Sequence, residues 1–286
     1  MEELIKKIEE KLDEYLPISY PKEIFESMRY SVLAGGKRLR PVMCLEACRV
    51  FSGEIEKAMP TACAFEMLHT QSLIHDDLPC MDNDDYRRGK LTNHKKFSES
   101  TAVLAGDALI SYGTQLIIDK SDLPPETIIK VLKEHALAAG AYGIIAGQIV
   151  DIAMEGKPYD AKTLEYIHTH KTADLFKGVL KAGAIIAQAN EEQIKAMEDF
   201  GQNLGFAFQI CDDILDEISS FEEMGKTLGK DKNAQKLTYT ALFGLEKAKC
   251  EVNCLLDKAY DILNTHDIKS EVFDSIIKSI REKVNR

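Results

Sequence analysis

Apolar residues recur along this chain at helical spacing from one end to the other. Leu4, Ile5, Ile8, Leu12 and Leu16 share one face of a charged N-terminal segment, which predicts an amphipathic helix rather than a signal-peptide core. Ile24, Met28 and Val32 repeat the pattern, as do Phe65, Leu68, Ser72 and Asp76, and a long apolar run follows from Ala102 to Ile118. The stretch HALAAGAYGIIAGQIVDIAM, rich in Ala and Gly, predicts buried helices packed closely on their neighbours, because small residues let backbones approach. Stretches 161–188, 191–217, 234–263 and 269–284 continue the period. Strict alternation over several residues is hard to find, so no sheet is assigned. The expected fold is all-α, a large helical bundle of roughly ten helices. Pro124 and Pro125 punctuate two helices, and no linker, repeat or low-complexity tract divides residues 1–286, so one domain is expected.

Composition narrows the picture. No uninterrupted apolar stretch reaches the roughly 18 residues of a membrane span, so stable membrane insertion is not expected. The 7 cysteines form no CxxC pair, which predicts core thiols and a cytosolic, cytoplasmic protein rather than a disulfide scaffold. A net charge of −11 without a basic stripe excludes a general nucleic-acid role. If the ligands are polyanions, divalent cations or well-placed Lys and Arg must offset this field.

The chemistry concentrates in two acidic clusters. In HDDLPCMDNDDYRRG, Asp76 and Asp77 close an apolar helix, and Pro79 ends it so that the chain swings Asp82 back, with Asp84 and Asp85 following. In FAFQICDDILDEI, Gln209, Asp212, Asp213 and Asp216 are embedded among apolar residues, and Asp212 and Asp216 project from one helix face. Like-charged carboxylates on a nearly apolar helix need a cation or strong donors beside them. Oxygen ligands without His or Cys indicate Mg²⁺, which keeps several waters and shares its shell with substrate phosphates. Basic residues accompany the clusters: Lys37, Arg38 and Arg40 in AGGKRLRP, Arg87 and Arg88, Lys171, and Lys226 and Lys230 in GKTLGKD. Gly35, Gly36 and Pro41 place the first set on a turn at a helix N-terminus that favours anions.

Together these residues resemble the trans-isoprenyl diphosphate synthases, the short-chain polyprenyl synthases, over residues 30 to 240. HDDLPCMDNDDYRRGKLTNH is similar to their first aspartate-rich motif, DDILD to the second, and GGKRLRP, the KT of Lys171 and Thr172, Gln209 and GKTLGKD match in order. Leu91, Tyr86 and the spacing to Lys236 depart from the family pattern. The resemblance implies an all-α bundle around a central cavity, three Mg²⁺ ions and a homodimer. It assigns Mg²⁺ to Asp76, Asp82 and Asp212, with Asp77 and Asp216 near the shell. Arg87, Lys171 and Lys226 would hold an allylic diphosphate, with Lys236 a further substrate contact. Lys37, Arg40, His69 and Arg88 would hold isopentenyl diphosphate, and Thr172 and Gln209 would stabilise the allylic cation, with Lys171 beside them.

Two other readings fit less. His75 within HDD is similar to the dyad of HD-type phosphohydrolases, but His94, His135, His168, His170 and His266 supply no matching ligand arrangement. A non-catalytic subunit of a heteromeric synthase would have lost acidic ligands, and both clusters are intact. His75 is expected to be a hydrogen-bonded histidine at the helix end. Arg281, Lys283 and Arg286 form a basic tail expected either to cover the isopentenyl site or to cap a helix dipole. A chain growing from Asp76 runs back along its helix, making Ser72, Gln71 and Leu68 the floor. Where farnesyl-producing bacterial relatives carry an aromatic, this chain has Gln71; farnesyl diphosphate is the expected product, with geranylgeranyl diphosphate the alternative.

Overall fold

A computed structural model describes residues 1–158, 160–218 and 238–285. The described residues form an all-α bundle. Helix α1 (Glu2–Tyr15) is followed by α2 (Lys22–Val32), α3 (Leu39–Val50) and the long α4 (Ile55–Asp76). A short α5 (Asn93–Lys96) leads into α6 (Glu99–Lys120), α7 (Pro125–Ala139), α8 (Ile144–Met154) and α9 (Ala161–His168). One π-helical turn (Thr169–Ala173) joins α9 to α10 (Asp174–Ile186), and α11 (Glu191–Ile218) is the longest helix. Beyond the undescribed stretch come α12 (Tyr239–Phe243), α13 (Leu245–Thr265) and α14 (Glu271–Val284).

Local chemistry sets these boundaries. The hydroxyl oxygens of Ser98, Thr238 and Ser270 and the carboxylate of Asp160 each accept a backbone N–H of the first turn, capping α6, α12, α14 and α9. Pro125 opens α7, where its missing N–H costs nothing. α4 and α10 are buried over most of their length and pack against α6, α3 and α11, so one continuous apolar core runs through the bundle. Arg38 pins that core: fully buried, it donates to Glu9, Glu66 and the Val32 carbonyl, each at 2.6 Å, tying α1, α2 and α4 together.

Three expectations change. A two-residue antiparallel ribbon, Tyr86–Arg87 against Lys90–Leu91, stands where no sheet was assigned. Its turn residues Arg88 and Gly89 have φ of 53° and 73°, both positive as a tight hairpin of matching twist demands. Second, Glu99–Lys120 and Pro125–Met154 do have the length and mean hydropathy (1.3 and 1.5) of membrane-crossing segments. In the fold, the first packs on α4, and the second breaks at Gly140–Gly143 between α7 and α8. Third, the Ala-rich run is buried on one side only: Ala146 and Gly147 face inward while Ile145 and Ile149 are exposed.

Candidate active site

α4 ends at Asp76, and the chain after Pro79 folds back onto the helix end. The backbone N–H of Asp82 donates to the Asp76 carbonyl at 2.8 Å, and that of Asp84 to the Asp77 carbonyl at 3.2 Å. The orphan carbonyls of the helix terminus thus set the acidic loop beside it. Asp77 is buried, and both its oxygens accept from the Arg87 Nε, at 2.7 and 2.9 Å. Burial, with Asp76 and Asp82 nearby, lifts its carboxyl to about 6 in spite of Arg87. Asp77 therefore holds the arginine of the ribbon.

The next basic group is built from three elements. Arg40 on α3 lies 3.3 Å from His69 Nε2 and stands over the Phe176 ring of α10 at 5.2 Å. Burial lowers the Arg40 guanidinium to about 10, while Glu66 and Asp212 favour its charge. Burial and the arginines Arg40, Arg88 and Arg87 hold His69 well below the usual histidine range, leaving it neutral. Arg88 reaches back over Gly36: a methyl there would fall 2.9 Å from the Arg88 Cζ, so only glycine lets the guanidinium rest on the GGKR turn. Burial lowers Lys283 of α14, and so does contact with the Lys37 ammonium, close to Cys211 and Asp212. Arg281, by contrast, pairs with Asp257 at 2.5 Å, as a cation spanning two helices. Arg40, His69 and Arg88 are thereby gathered together, and Asp212 of α11 lies close to Arg40 and to the Lys37–Lys283 pair. The second cluster comes with them.

Lys171 and Thr172 sit in the π turn, gripped between two glycines. A methyl at Gly147 of α8 would fall 2.2 Å from the Lys171 nitrogen, and one at Gly205 of α11 would fall 2.7 Å from the Ala173 Cα. Lys171 Nζ pairs with Asp151 of α8 at 2.7 Å. Thr172, facing the other way, donates to Gln209 Oε1 at 2.7 Å. Asp151 was not singled out from the sequence, although an acid within the apolar IIAGQIVDIAM is the signal that marks it.

Among the described residues no three His, Cys, Asp or Glu side chains close into a cage. Mg²⁺ takes one or two carboxylates and completes its shell with water and phosphate. The oxygen-only donors Asp76, Asp82, Asp212 and Asp216 fit such an ion. Lys226, Lys230, Lys236 and Arg286 lie outside the described residues.

Three comparisons bear on this site. Residues 21–279 match the polyprenyl synthetase family. A dimethylallyltranstransferase of Fischerella ambigua is 46% identical over 88% of this chain and 74% of its own. A chloroplastic geranylgeranyl pyrophosphate synthase of Arabidopsis thaliana is 47% identical over 91% and 76%. Among solved structures, a geranyltransferase of Helicobacter pylori complexed with magnesium and isoprenyl diphosphate superposes with a TM-score of 0.85 and 31% identity, over 99% of this chain and 97% of that one.

Proposed function

The chain belongs to the polyprenyl synthetase family, and on that premise we propose that it joins isopentenyl diphosphate head-to-tail to an allylic diphosphate, with geranylgeranyl diphosphate as the main product. The observation that carries the reaction is the gathering of Arg40, His69 and Arg88 around the helix that presents Asp76, with Asp212 close to Arg40. Such a site can hold two diphosphates in a strongly acidic protein.

Lys37, Arg40, His69 and Arg88 bind isopentenyl diphosphate; Arg87, Lys171 and Lys226 bind the allylic partner, with Lys236 assisting. Asp76, Asp82, Asp212 and Asp216 would hold Mg²⁺, which would supply Lewis-acid neutralisation of the leaving diphosphate. The oxygens of Thr172 and Gln209 face the positive charge as the allylic C–O bond ionises. The isopentenyl double bond attacks that carbon, and the adduct loses a proton to the departing diphosphate. Positioning and exclusion of water do most of the rest.

The longer product is favoured over the farnesyl diphosphate expected from the sequence. Support comes from the named activity of the Arabidopsis relative and from the absence of an aromatic at position 71. Exposed Leu104, Ile118, Ile129 and Ile149 support a homodimer, and exposed unpaired Cys80, Cys250 and Cys254 support a reducing, cytosolic compartment. The single domain expected from the sequence is part of the same proposal.

The test is direct. Purified protein with Mg²⁺, isopentenyl diphosphate and a five-, ten- or fifteen-carbon allylic diphosphate is expected to give a twenty-carbon product by chromatography, and EDTA to abolish it. Arrest at fifteen carbons would restore the farnesyl reading. No condensation with any starter would remove the assignment.

A further inference from the structure

The second acidic cluster contains a carboxylate that the reaction above does not use. Asp213 is buried, 6% exposed. Its Oδ1 accepts from Gln209 Nε2 at 3.1 Å, one turn earlier on the same helix. Its Oδ2 accepts from the backbone N–H of Tyr239 at 2.8 Å, at the start of α12, and lies 3.4 Å from His168 Nε2. Beyond Gln209, the Oε1 of its amide accepts from the Thr172 hydroxyl at 2.7 Å.

Each link in this chain has one permitted direction. A carboxylate only accepts, so the end of the Gln209 amide that meets Asp213 is the NH₂. The other end, turned to Thr172, is the carbonyl. Thr172 must then spend its single proton on Gln209, leaving its oxygen lone pairs for whatever lies on the remaining side. An electron-deficient carbon is stabilised by lone pairs and repelled by an O–H aimed at it. The direction of the whole chain therefore matters for the chemistry, and Asp213 sets it.

We infer that Asp213 is a positioning residue: it fixes the sense of the Gln209 amide, and through it makes the Thr172 hydroxyl present lone pairs to the reacting allylic carbon. This rests on the proposed role of Thr172 and Gln209 beside the cation. Both oxygens of Asp213 are occupied by donors from α11 and α12.

Asp213→Asn keeps the shape and reverses the logic. The Tyr239 N–H is a fixed donor, so the oxygen of the new amide turns to it and the new NH₂ faces Gln209. The Gln209 amide then flips, its NH₂ donates to Thr172, and the hydroxyl proton is released toward the cavity. We expect kcat to fall roughly 100- to 1000-fold, the scale of losing one preorganised dipole. KM for both diphosphates and the Mg²⁺ concentration giving half-maximal rate should stay within about twofold, as for an interaction realised only in the transition state.

The decisive variant is the double substitution Asp213→Asn with Gln209→Glu. A carboxylate at position 209 accepts both from the amide introduced at position 213 and from Thr172, so the hydroxyl regains its direction, and the helix keeps its net charge. The double variant should turn over faster than either single variant, a coupling that general damage to the fold does not produce. If Asp213→Asn does not fold, the comparison of the double variant with Gln209→Glu alone still decides. The inference is overturned by wild-type kcat in Asp213→Asn, by a raised Mg²⁺ requirement that would make Asp213 a ligand, or by a double variant slower than both singles. Failure of the wild-type protein to condense any prenyl diphosphate would instead overturn the functional reading beneath it.

Discussion

At the scale of single residues, the site depends on cations kept in unusual surroundings. Arg40 is held between His69, the Phe176 ring and Asp212, where burial makes its charge costly unless an anion arrives. Removing a charge-assisted contact of this kind costs about 1.5–3 kcal/mol, or roughly 10- to 100-fold in binding. Arg40→Ala is therefore expected to raise KM for isopentenyl diphosphate by that factor while barely moving KM for the allylic partner; Lys171→Ala should do the reverse. Steady-state kinetics with each substrate varied in turn will show it, and equal effects in both variants would mean the two diphosphate sites are wrongly divided. Most of these residues were legible in the sequence, because Asp76, Asp212, Arg88 and Lys171 sit in dense motifs. Adjacency in sequence hides direction: one residue further round the helix from Asp76, the Asp77 carboxylate meets Arg87. Glu66 and Asp151 were missed because a single acid in an apolar helix reads as noise until its partner from another helix is known.

At the scale of elements, the contact between α4 and α6 bears on the proposed floor at Gln71. His75 is bonded to Gln71 at 3.0 Å and to the Val103 carbonyl at 3.1 Å, and its ring lies where Gly106 has no side chain. A methyl at 106 would fall 2.0 Å from the His75 Nε2. Gly106→Ala should thus displace His75, release the Gln71 amide and shift the product mixture toward shorter chains, with about 1–3 kcal/mol of destabilisation from overpacking. Product chromatography and thermal melts check both effects; an unchanged mixture would place the floor elsewhere than on this contact. The helix-end histidine was expected from the sequence, but its seat on α6 was not. The same holds for the π turn. Periodicity over 161–188 reads as one helix, because the extra residue at Thr169–Ala173 is forced by packing between Gly147 and Gly205 rather than by any local preference.

At the scale of the whole molecule, the helical class and its continuous core followed from apolar spacing alone, since burial of one stripe per helix is what a bundle is. An expected source of acid sensitivity lies outside the site. His135 of α7 is buried against the Phe65 ring, 5.1 Å between centroids, and desolvation lowers it from 6.5 to about 4 in spite of a hydrogen bond with the Ala64 backbone. The unfolded chain takes up this proton near pH 6.5 and the native chain only near 4. Stability from this group is complete above 6.5 and is lost as the pH falls toward 4, amounting to ~2 kcal/mol by pH 5. Urea midpoints at pH 7.5 and pH 5 should converge in His135→Leu relative to the wild type; an unaltered gap would exclude His135 as the cause. The ribbon beside the first acidic cluster carries a different consequence. Arg88 occupies a left-handed position that glycine or asparagine would fill with about 1–2 kcal/mol less strain, yet its guanidinium is the group that leans on Gly36 and is proposed to bind isopentenyl diphosphate. Laboratory selection for heat tolerance alone would drift away from arginine at this position, so robustness and turnover compete for one side chain.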